Sequence, residues 1–162
     1  MALSYVGRFA TSRVRLTSYL SRKVRELGWD GTDEPDIPAV AERLVRLGYV
    51  DDAAFALSKA RTLTTRGYGA GRVRQSLHAA GIDEEDGAGA RDFAAASAVS
   101  AAIKFAKRRG LGPFAPQDLD PRAREKALSA MIRAGHGFAL AKAVLSLGPG
   151  AEVDEEQLAE VR

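Results

Sequence analysis

Arginine-rich stretches without acidic residues are the part of this chain best suited to chemistry, and that chemistry is the binding of anions. Six basic residues and no acidic one lie from Arg8 to Arg25, and residues 59–74 form a second acid-free stretch with five basic residues. Arginine prevails over lysine, and its planar guanidinium holds carboxylate or phosphate through paired hydrogen bonds. Tyr68 adds a ring of the kind on which nucleic-acid bases stack. The predicted binding residues are Arg13, Arg15, Arg22, Lys23, Arg25, Arg66, Tyr68, Arg72 and Arg74.

Other residue types that often catalyse reactions or bind metals are present but poorly arranged for either role. The acidic residues at 51–52 and 83–86 are explained by helix starts, where carboxylates accept backbone N–H groups. His78 and His136 are the two histidines, and neither has zinc-like spacing to other ligands. Residues 66–71 lack the preceding strand and the Lys-Ser/Thr of a phosphate-binding loop, which favours a flexible turn between helices. We therefore predict no catalytic residue, no metal site and no cofactor.

Composition and charge favour a folded binding protein in the cytoplasm. Of the 162 residues, 46% are hydrophobic and 28% are charged, as in ordinary globular domains. The net charge is +3, but residues 1–80 hold 13 Lys/Arg against 8 Asp/Glu, whereas residues 81–162 hold 11 against 13. No apolar run approaches the roughly 20 residues of a membrane span, and residues 1–10 do not resemble a secretory signal. Cysteine is absent, so we expect a reducing cytoplasm and no membrane association.

The elements that must position these residues are predicted to be helices throughout. Apolar residues recur at spacings of three and four, which buries one side of a helix. No stretch alternates apolar and polar residues as a half-exposed strand would. The fold class is therefore all-α. The apolar stripes fall at residues 16–27, 37–45, 53–63, 73–80, 96–106, 123–134 and 140–145.

Three of these helices share a start and an end, which indicates an internal repeat. Arg-x-Arg opens each, and glycine followed by a bulky apolar residue closes each at residues 28–29, 81–82 and 137–138. The glycine is expected to be left-handed, with the apolar side chain folded back onto the last turn. The sequence thus predicts tandem three-helix repeats that form an elongated, curved array. The predicted divisions are residues 1–50, 51–90 and 91–148 for the repeats and 149–162 for a frayed or weakly helical tail.

Two segments resemble the RecX family, which regulates the bacterial RecA recombinase. Residues 48–56 (Gly-Tyr-Val-Asp-Asp-Ala-Ala-Phe-Ala) are similar to that family's central signature. Residues 66–82, a Gly-rich turn followed by a helix that ends in Gly-Ile, are similar to its next stretch. The resemblance extends from about Arg8 to Leu147 and includes the tandem three-helix plan. The signature residues are Gly48, Tyr49, Asp51, Asp52, Phe55, Ala56 and Gly81.

The chain departs from this family pattern in two places. The family's first repeat has an acidic residue where Arg15 stands, so this helix is unusually basic. The family's Arg-Arg-Gly-Phe in the third repeat corresponds to residues 133–138 (Arg-Ala-Gly-His-Gly-Phe), which we interpret as a lengthened and less charged helix end. These departures favour the first two repeats as the main binding elements and the third as a cap of the array.

The resemblance implies a non-enzymatic protein, monomeric when free, that lies in the groove of the RecA–DNA filament. Members of the family usually restrain filament growth and RecA's recombinase, ATPase and coprotease activities. The implied partners are the RecA filament and single- or double-stranded DNA, bound weakly and without sequence selectivity. Short helices with basic starts also fit a second hypothesis, a sequence-selective helix-turn-helix regulator that binds DNA without RecA.

Overall fold

The structure is a computed structural model that describes residues 1–161, and this range contains ten α-helices and no strand. The predicted all-α class is therefore confirmed. A short 3-10 helix, Gly112–Phe114, lies between α7 and α8. The α-helices are α1 (Ala2–Val6), α2 (Arg13–Leu27), α3 (Ile37–Arg46), α4 (Asp52–Thr65), α5 (Ala70–His78), α6 (Ala88–Ala96), α7 (Ala98–Arg109), α8 (Pro121–Arg133), α9 (Phe138–Ser146) and α10 (Glu155–Ala159).

Polar side chains begin five of these helices. Each one accepts a hydrogen bond from a backbone N–H of the first turn, which satisfies a donor that the helix itself leaves unpaired. The sequence predicted a helix start at the acidic residues 51–52, and the structure confirms it with Asp51 as the cap of α4. The five capping residues are Ser12, Asp36, Asp51, Asp120 and Asp154.

Three separate hydrophobic clusters follow one another along the chain. Helices α1–α3 form the first around Leu16 and Leu44, and helices α4–α6 form the second around Val73 and Leu77. The third, from α7 to α10, is centred on Met131. Each cluster belongs to consecutive helices, so we treat α1–α3, α4–α6 and α7–α10 as three units in tandem.

The accessible surface shows that this arrangement is elongated. A compact protein of 17.3 kDa exposes about 7,800 Å² by the usual scaling with mass. This chain exposes 10348 Å², about a third more. Three small clusters in series leave more surface in solvent than one shared core would.

Helix α6 differs from the prediction. The apolar spacing at residues 96–106 predicted one helix, which corresponds to α7, but the sequence did not predict α6, which ends just before Ser97. Ala90 and Ala94 of α6 are buried against α4. Alanine lets two helices approach closely but makes only a faint apolar stripe, which explains why the sequence did not reveal α6. The predicted boundary at residue 90 lies inside α6, and we propose that the second unit extends to Ala96.

We call α2, α5 and α8 the middle helices of the three units. A left-handed glycine ends each of them. Gly28, Gly81 and Gly135 have φ angles of +80°, +69° and +93°. The predicted ending is confirmed in the second unit, where Ile82 is buried in the same cluster as α5. It is wrong in the first unit, because Trp29 is 54% exposed.

The third unit ends its middle helix two residues earlier than predicted. Gly135 is left-handed, whereas Gly137 has φ −64° and caps the start of α9. Phe138 begins α9 and is exposed. His136 follows the left-handed glycine and is buried. The interpretation of this segment as lengthened is therefore wrong: a histidine takes the place of the expected apolar residue.

Helix α10 holds the C-terminal segment against the third cluster. We predicted a frayed or weakly helical tail; the short helix α10 is present, and its Leu158 is buried among the residues of that cluster. Gly150 donates its N–H to the carbonyl of Pro113 at 2.9 Å. The segment is therefore part of the third unit.

The start of α2 packs against the end of α5, which joins the first unit to the second. The hydroxyl of Ser12 is fully buried and donates to the carbonyl of Ala80 at 2.5 Å. The same oxygen accepts the N–H of Arg15 at 3.3 Å. Val14 lies so close to Gly81 that a Cβ there would come within 2.6 Å of the valine side chain.

The start of α5 packs against the end of α8 in the same way and joins the second unit to the third. Gly69 donates its N–H to Ala134, and Gly71 donates to Gly135, both at 2.9 Å. A Cβ on Gly135 would collide with the backbone nitrogen of Arg72. The prediction of a flexible turn at residues 66–71 is wrong, because main-chain hydrogen bonds fix this turn to the next unit.

Candidate nucleic-acid interface

Phe55 lies where the first two units meet and has a cation from each unit beside it. The guanidinium carbon of Arg15 in α2 is 5.7 Å from the ring centroid, and Nζ of Lys59 in α4 is 5.8 Å from it. An aromatic face attracts a cation within about 6 Å. Phe55, which the sequence identified only as a structural signature residue, therefore also positions two basic side chains.

One face of α4 carries positive charge from this junction toward the third unit. Phe55, Lys59 and Arg66 are spaced so that they lie within about 40° of one another around the helix. The helix has 14 residues and is therefore about 21 Å long. Because Arg66 is exposed just beyond the last turn, this face carries basic side chains from the middle of the helix to just beyond its end.

Tyr68 has cations from the second and third units beside it. The guanidinium carbons of Arg72 in α5 and Arg108 in α7 are 5.9 Å and 6.0 Å from its ring centroid. Arg108 also donates a hydrogen bond to the carbonyl of Arg66. The junction between the second and third units thus repeats the arrangement at Phe55, a ring between cations of neighbouring units.

Helix α2 extends the positive charge across the first unit. Arg22 lies about two turns from Arg15 on the same face, with its guanidinium carbon 5.7 Å from the Tyr19 ring. Glu26 partly neutralises this end, because it accepts a hydrogen bond from Lys23 at 2.6 Å and lies 3.6 Å from Arg22. The hydrogen bond from Lys23 lowers the pKa of Glu26, so the carboxylate remains charged.

We call this surface the basic strip. It touches all three units, and an aromatic ring marks each junction that it crosses. Five of its eight residues were predicted from the sequence as binding residues. The strip consists of Arg15, Arg22, Lys59, Arg66, Arg72 and Arg108, together with Phe55 and Tyr68.

Arg13, a predicted binding residue, instead connects parts of the fold. Its side chain donates to Glu42 in α3 at 3.1 Å, and its backbone N–H donates to the carboxylate of Asp52 at 2.8 Å. The hydrogen bond to Glu42 raises the pKa of Arg13. Burial raises the pKa of Asp52, although the N–H of Arg13 opposes this shift. Arg13 and Asp52 therefore hold the first unit against α4.

Three further predicted residues lie outside the strip. Lys23 is paired with Glu26, as described above. Arg25 is exposed in the last turn of α2, about 80° around the helix from Arg15. Arg74 is exposed and about 200° around α5 from Arg72.

Two basic residues of the strip were missed as candidates. Lys59 lies within the second acid-free stretch but was not selected as a binding residue. Arg108 lies in a third acid-free stretch, residues 93–117, which holds four basic residues. Arg109 belongs to the same stretch and lies 5.6 Å from the ring of Phe105. The absence of acidic residues from 93–117 is the sequence signal that identifies Arg108 as a candidate.

Most of the remaining signature residues serve the fold. Gly48 has φ +76° and lies two residues after the end of α3. Asp51 accepts the N–H of Ala54 at 2.8 Å and caps α4. Ala56 is fully buried in the second cluster, whereas Tyr49 is exposed.

His136 is a buried residue at the junction of the second and third units. Its Nε2 lies 3.1 Å from the carbonyl of Gly67, and its ring meets Phe105 edge-on at 5.4 Å. Nδ1 is buried and has no hydrogen-bond partner among residues 1–161. Burial lowers the pKa of His136, and the Gly67 hydrogen bond opposes this only in part. The position suits a neutral side chain that packs between units.

The described part of the chain, residues 1–161, brings no three His, Asp or Glu side chains together as a group that could hold a metal ion. In the same range, no helix is long and apolar enough to cross a membrane. The basic strip is therefore the feature of these residues that most clearly suggests a binding partner.

Known proteins with similar sequences share one name. Residues 51–90 match the family described as "RecX, second three-helix domain". The chain is 32% identical over 158 residues to "Regulatory protein RecX" of Myxococcus xanthus, which covers 91% of this chain and 83% of that protein. It is also 32% identical over 134 residues to the protein of that name from Stenotrophomonas maltophilia, covering 83% of this chain and 76% of that one.

Two crystal structures have a similar fold. RecX from Lactobacillus salivarius superposes with a TM-score of 0.60 at 21% identity, over 88% of both chains. A second structure, of a regulatory protein RecX, gives a TM-score of 0.61 at 22% identity, over 88% of this chain and 66% of that one. These structures support the arrangement of tandem three-helix units.

Proposed function

Because this chain belongs to the RecX family of regulatory proteins, we propose that it binds in the groove of a RecA–DNA filament and inhibits it. The proposed effect is a loss of the filament's recombinase, ATPase and coprotease activities, without catalysis by the chain itself. This partner implies that the protein acts in the cytoplasm, in DNA repair.

The observation that carries the proposal is the continuity of the basic strip across all three units. A filament groove presents DNA phosphates and acidic protein surface at regular intervals, and a long strip of cations meets several of them at once. Arg15, Lys59 and Arg108 come from three different units but lie beside the two junction rings. The rigid junctions keep these charges at fixed separations, which reduces the entropy lost on binding.

Arginine at position 15 strengthens this interpretation. The family pattern has an acidic residue there, whereas this chain places a guanidinium against Phe55. The substitution of a cation for an anion makes the first junction more attractive to phosphate. Arg15 is therefore expected to contribute to filament binding in this protein.

The decisive experiment measures binding and inhibition together. Arg15→Ala, Lys59→Ala and Arg108→Ala are combined, and affinity for a RecA filament on single-stranded DNA is measured along with its ATPase rate. We expect the triple variant to bind at least tenfold more weakly, about 1.4 kcal/mol, and to inhibit correspondingly less. Each lost phosphate contact also reduces the slope of log affinity against log salt by roughly 0.7 to 0.9.

A matched control removes the same charge elsewhere. Arg46, Arg74 and Lys126 are exposed and lie outside the strip, and their combined change to Ala is expected to weaken binding only slightly. Equal losses of filament affinity in the two triple variants would show that net charge, not the strip, governs binding. Strong selectivity for one duplex sequence in the absence of RecA would instead support a helix-turn-helix DNA-binding regulator.

A further inference from the structure

The junctions between units are built from one repeated contact, and within residues 1–161 both the first and the third unit leave one half of that contact unfilled. At each junction the start of one unit's middle helix packs against the end of the next unit's middle helix. Ser12 meets Ala80 at the first junction, and Gly69 meets Ala134 at the second. Among residues 1–161, no unit packs in this way against the end of α2 or against the start of α8.

The unfilled helix end is the turn after α2. Added Cβ atoms on Gly81 and Gly135 would meet the neighbouring unit, whereas one on Gly28 would meet nothing within 4 Å among the described residues. Leu27 and Trp29, on either side of Gly28, are 65% and 54% exposed. These are large apolar side chains at the position where the other two units make their contact.

Trp29 is exposed but held in place. Its indole Nε1 donates a hydrogen bond to the carbonyl of Asp33 at 2.6 Å. The ring also covers Gly31, where a Cβ would come within 2.5 Å of it. An aromatic side chain fixed in this way loses little conformational entropy when a partner covers it.

The unfilled helix start borders an apolar groove of about 490 Å³ between α8 and α9. Leu119, Leu128 and Phe138 supply its apolar walls. Arg124 and Lys142 also line it. The groove adjoins the first turn of α8, the same part of the middle helix that receives the next unit at both internal junctions.

The two ends have opposite charge. The loop after Trp29 carries four acidic residues and no basic one before Ile37, namely Asp30, Asp33, Glu34 and Asp36. Arg124 and Lys142 line the groove together with one carboxylate, that of Glu125, so the groove keeps a net positive charge. Apolar and charged groups therefore match when the end of α2 meets the start of α8.

We propose that a second copy of this chain docks head to tail, with its Leu27–Trp29 turn in the groove between α8 and α9. The contact joins different surfaces of the two copies, so it generates an open chain of molecules, not a closed dimer. One groove and one helix end bury less surface than the roughly 1,600 Å² of a stable complex, which is compatible with monomers in dilute solution. On a filament, neighbouring copies reach a high effective concentration, and docking makes their binding cooperative; this second consequence rests on the proposed function.

The test exploits the absence of cysteine from the chain. Thr32→Cys, in the acidic loop, is mixed with a tagged Ser146→Cys variant, whose serine lines the groove, and disulfide formation under mild oxidation is measured. We expect the mixed dimer to exceed both homodimers several-fold. Ser58→Cys, on the exposed surface of α4, replaces Thr32→Cys as the matched control. Homodimers in excess, or a mixed yield equal to that of the control, would overturn the proposal.

The single tryptophan gives a second measurement on the unmodified protein. As concentration rises from micromolar to near-millimolar, we expect the mass by light scattering to increase while Trp29 fluorescence shifts to the blue. Arg124→Glu combined with Lys142→Glu should abolish both changes, whereas Arg46→Glu with Arg74→Glu should not. Constant mass, or a larger mass with Trp29 still in solvent, would contradict the proposal. Neither experiment contains RecA, so failure here leaves the proposed function untouched.

Discussion

The backbone N–H of Gly71 donates a hydrogen bond of 2.9 Å to the carbonyl of Gly135, and this bond ties the second unit to the third. A Cβ on Gly71 would lie 3.1 Å from that carbonyl oxygen, and a Cβ on Gly135 would collide with Arg72. The two main chains approach this closely only because both residues lack side chains. The placement of Arg72 relative to Arg108, and thus of the strip at Tyr68, depends on this approach.

Gly135→Ala is expected to destabilise the fold strongly. Its φ of +93° is unfavourable for a residue with a side chain, and the collision with Arg72 forces the two units apart. We expect a loss of about 3 kcal/mol or more in the free energy of unfolding, measured by urea denaturation. Gly137→Ala is the control, because φ is −64° and nothing lies within 4 Å of its Cβ position. It should cost no more than about 1 kcal/mol, and equal losses would contradict the role of the junction.

Ser12→Ala tests the first junction. The substitution removes the cap of α2 and leaves the buried carbonyl of Ala80 without the serine hydroxyl. These effects together are expected to cost about 2 to 3 kcal/mol in the free energy of unfolding. Ser146→Ala removes an exposed hydroxyl that bonds within its own helix and should cost under about 0.5 kcal/mol. A small loss for Ser12→Ala would mean that the two units are held together elsewhere.

His136 makes stability depend on pH. Burial lowers its pKa in the folded chain, so the unfolded chain binds a proton more readily. Its full contribution to stability is present above the ordinary histidine pKa of about 6.5, and it declines as pH falls below that value toward the lower folded pKa. His136→Phe keeps a ring beside Phe105 but removes the titrating group. We expect the urea concentration at the unfolding midpoint to change less between about pH 7.5 and pH 5.5 in this variant than in the unmodified protein. An equally steep decline in the variant would assign the effect to other groups.

Phe55→Leu separates the aromatic face from the bulk of the side chain. Arg15 and Lys59 lose the ring that attracts them, and this attraction is worth about 0.5 to 1 kcal/mol at exposed sites. We expect filament affinity to fall roughly two- to fivefold with little change in the free energy of unfolding. Phe93→Leu removes a ring that lies 5.7 Å from Arg61, outside the strip, and should leave affinity unchanged. Parallel losses in both variants would point to a general effect on packing.

The sequence predicted seven of the ten described α-helices and the repeat, because these depend on neighbours along the chain. Asp36 and Asp120 cap their helices through residues three positions away, and the apolar stripes have a local period. Prediction from the sequence failed where a residue's role depends on a contact with a residue far away along the chain. The reason for glycine at position 69 is the Gly135 carbonyl, which no local pattern reveals.

The candidate site was predicted in composition but not in geometry. Arg15 and Arg72 were identified, yet Arg13 was selected with them, although Glu42 and Asp52 hold it in place. Its role depends on where α3 and α4 come together in three dimensions. Arg108 joined the strip because a helix from a different unit brings it to Tyr68.

The junctions bear on how such a chain grows over evolutionary time. Each one needs only a helix end of alanine and glycine on one side and a helix start with a small or capping residue on the other, as at Ala80 and Ser12 or Ala134 and Gly69. A duplicated unit carries both halves of the contact with it. Insertion of an extra copy of α4–α6 after α6 should therefore lengthen the array by one repeat without changes to the neighbouring units.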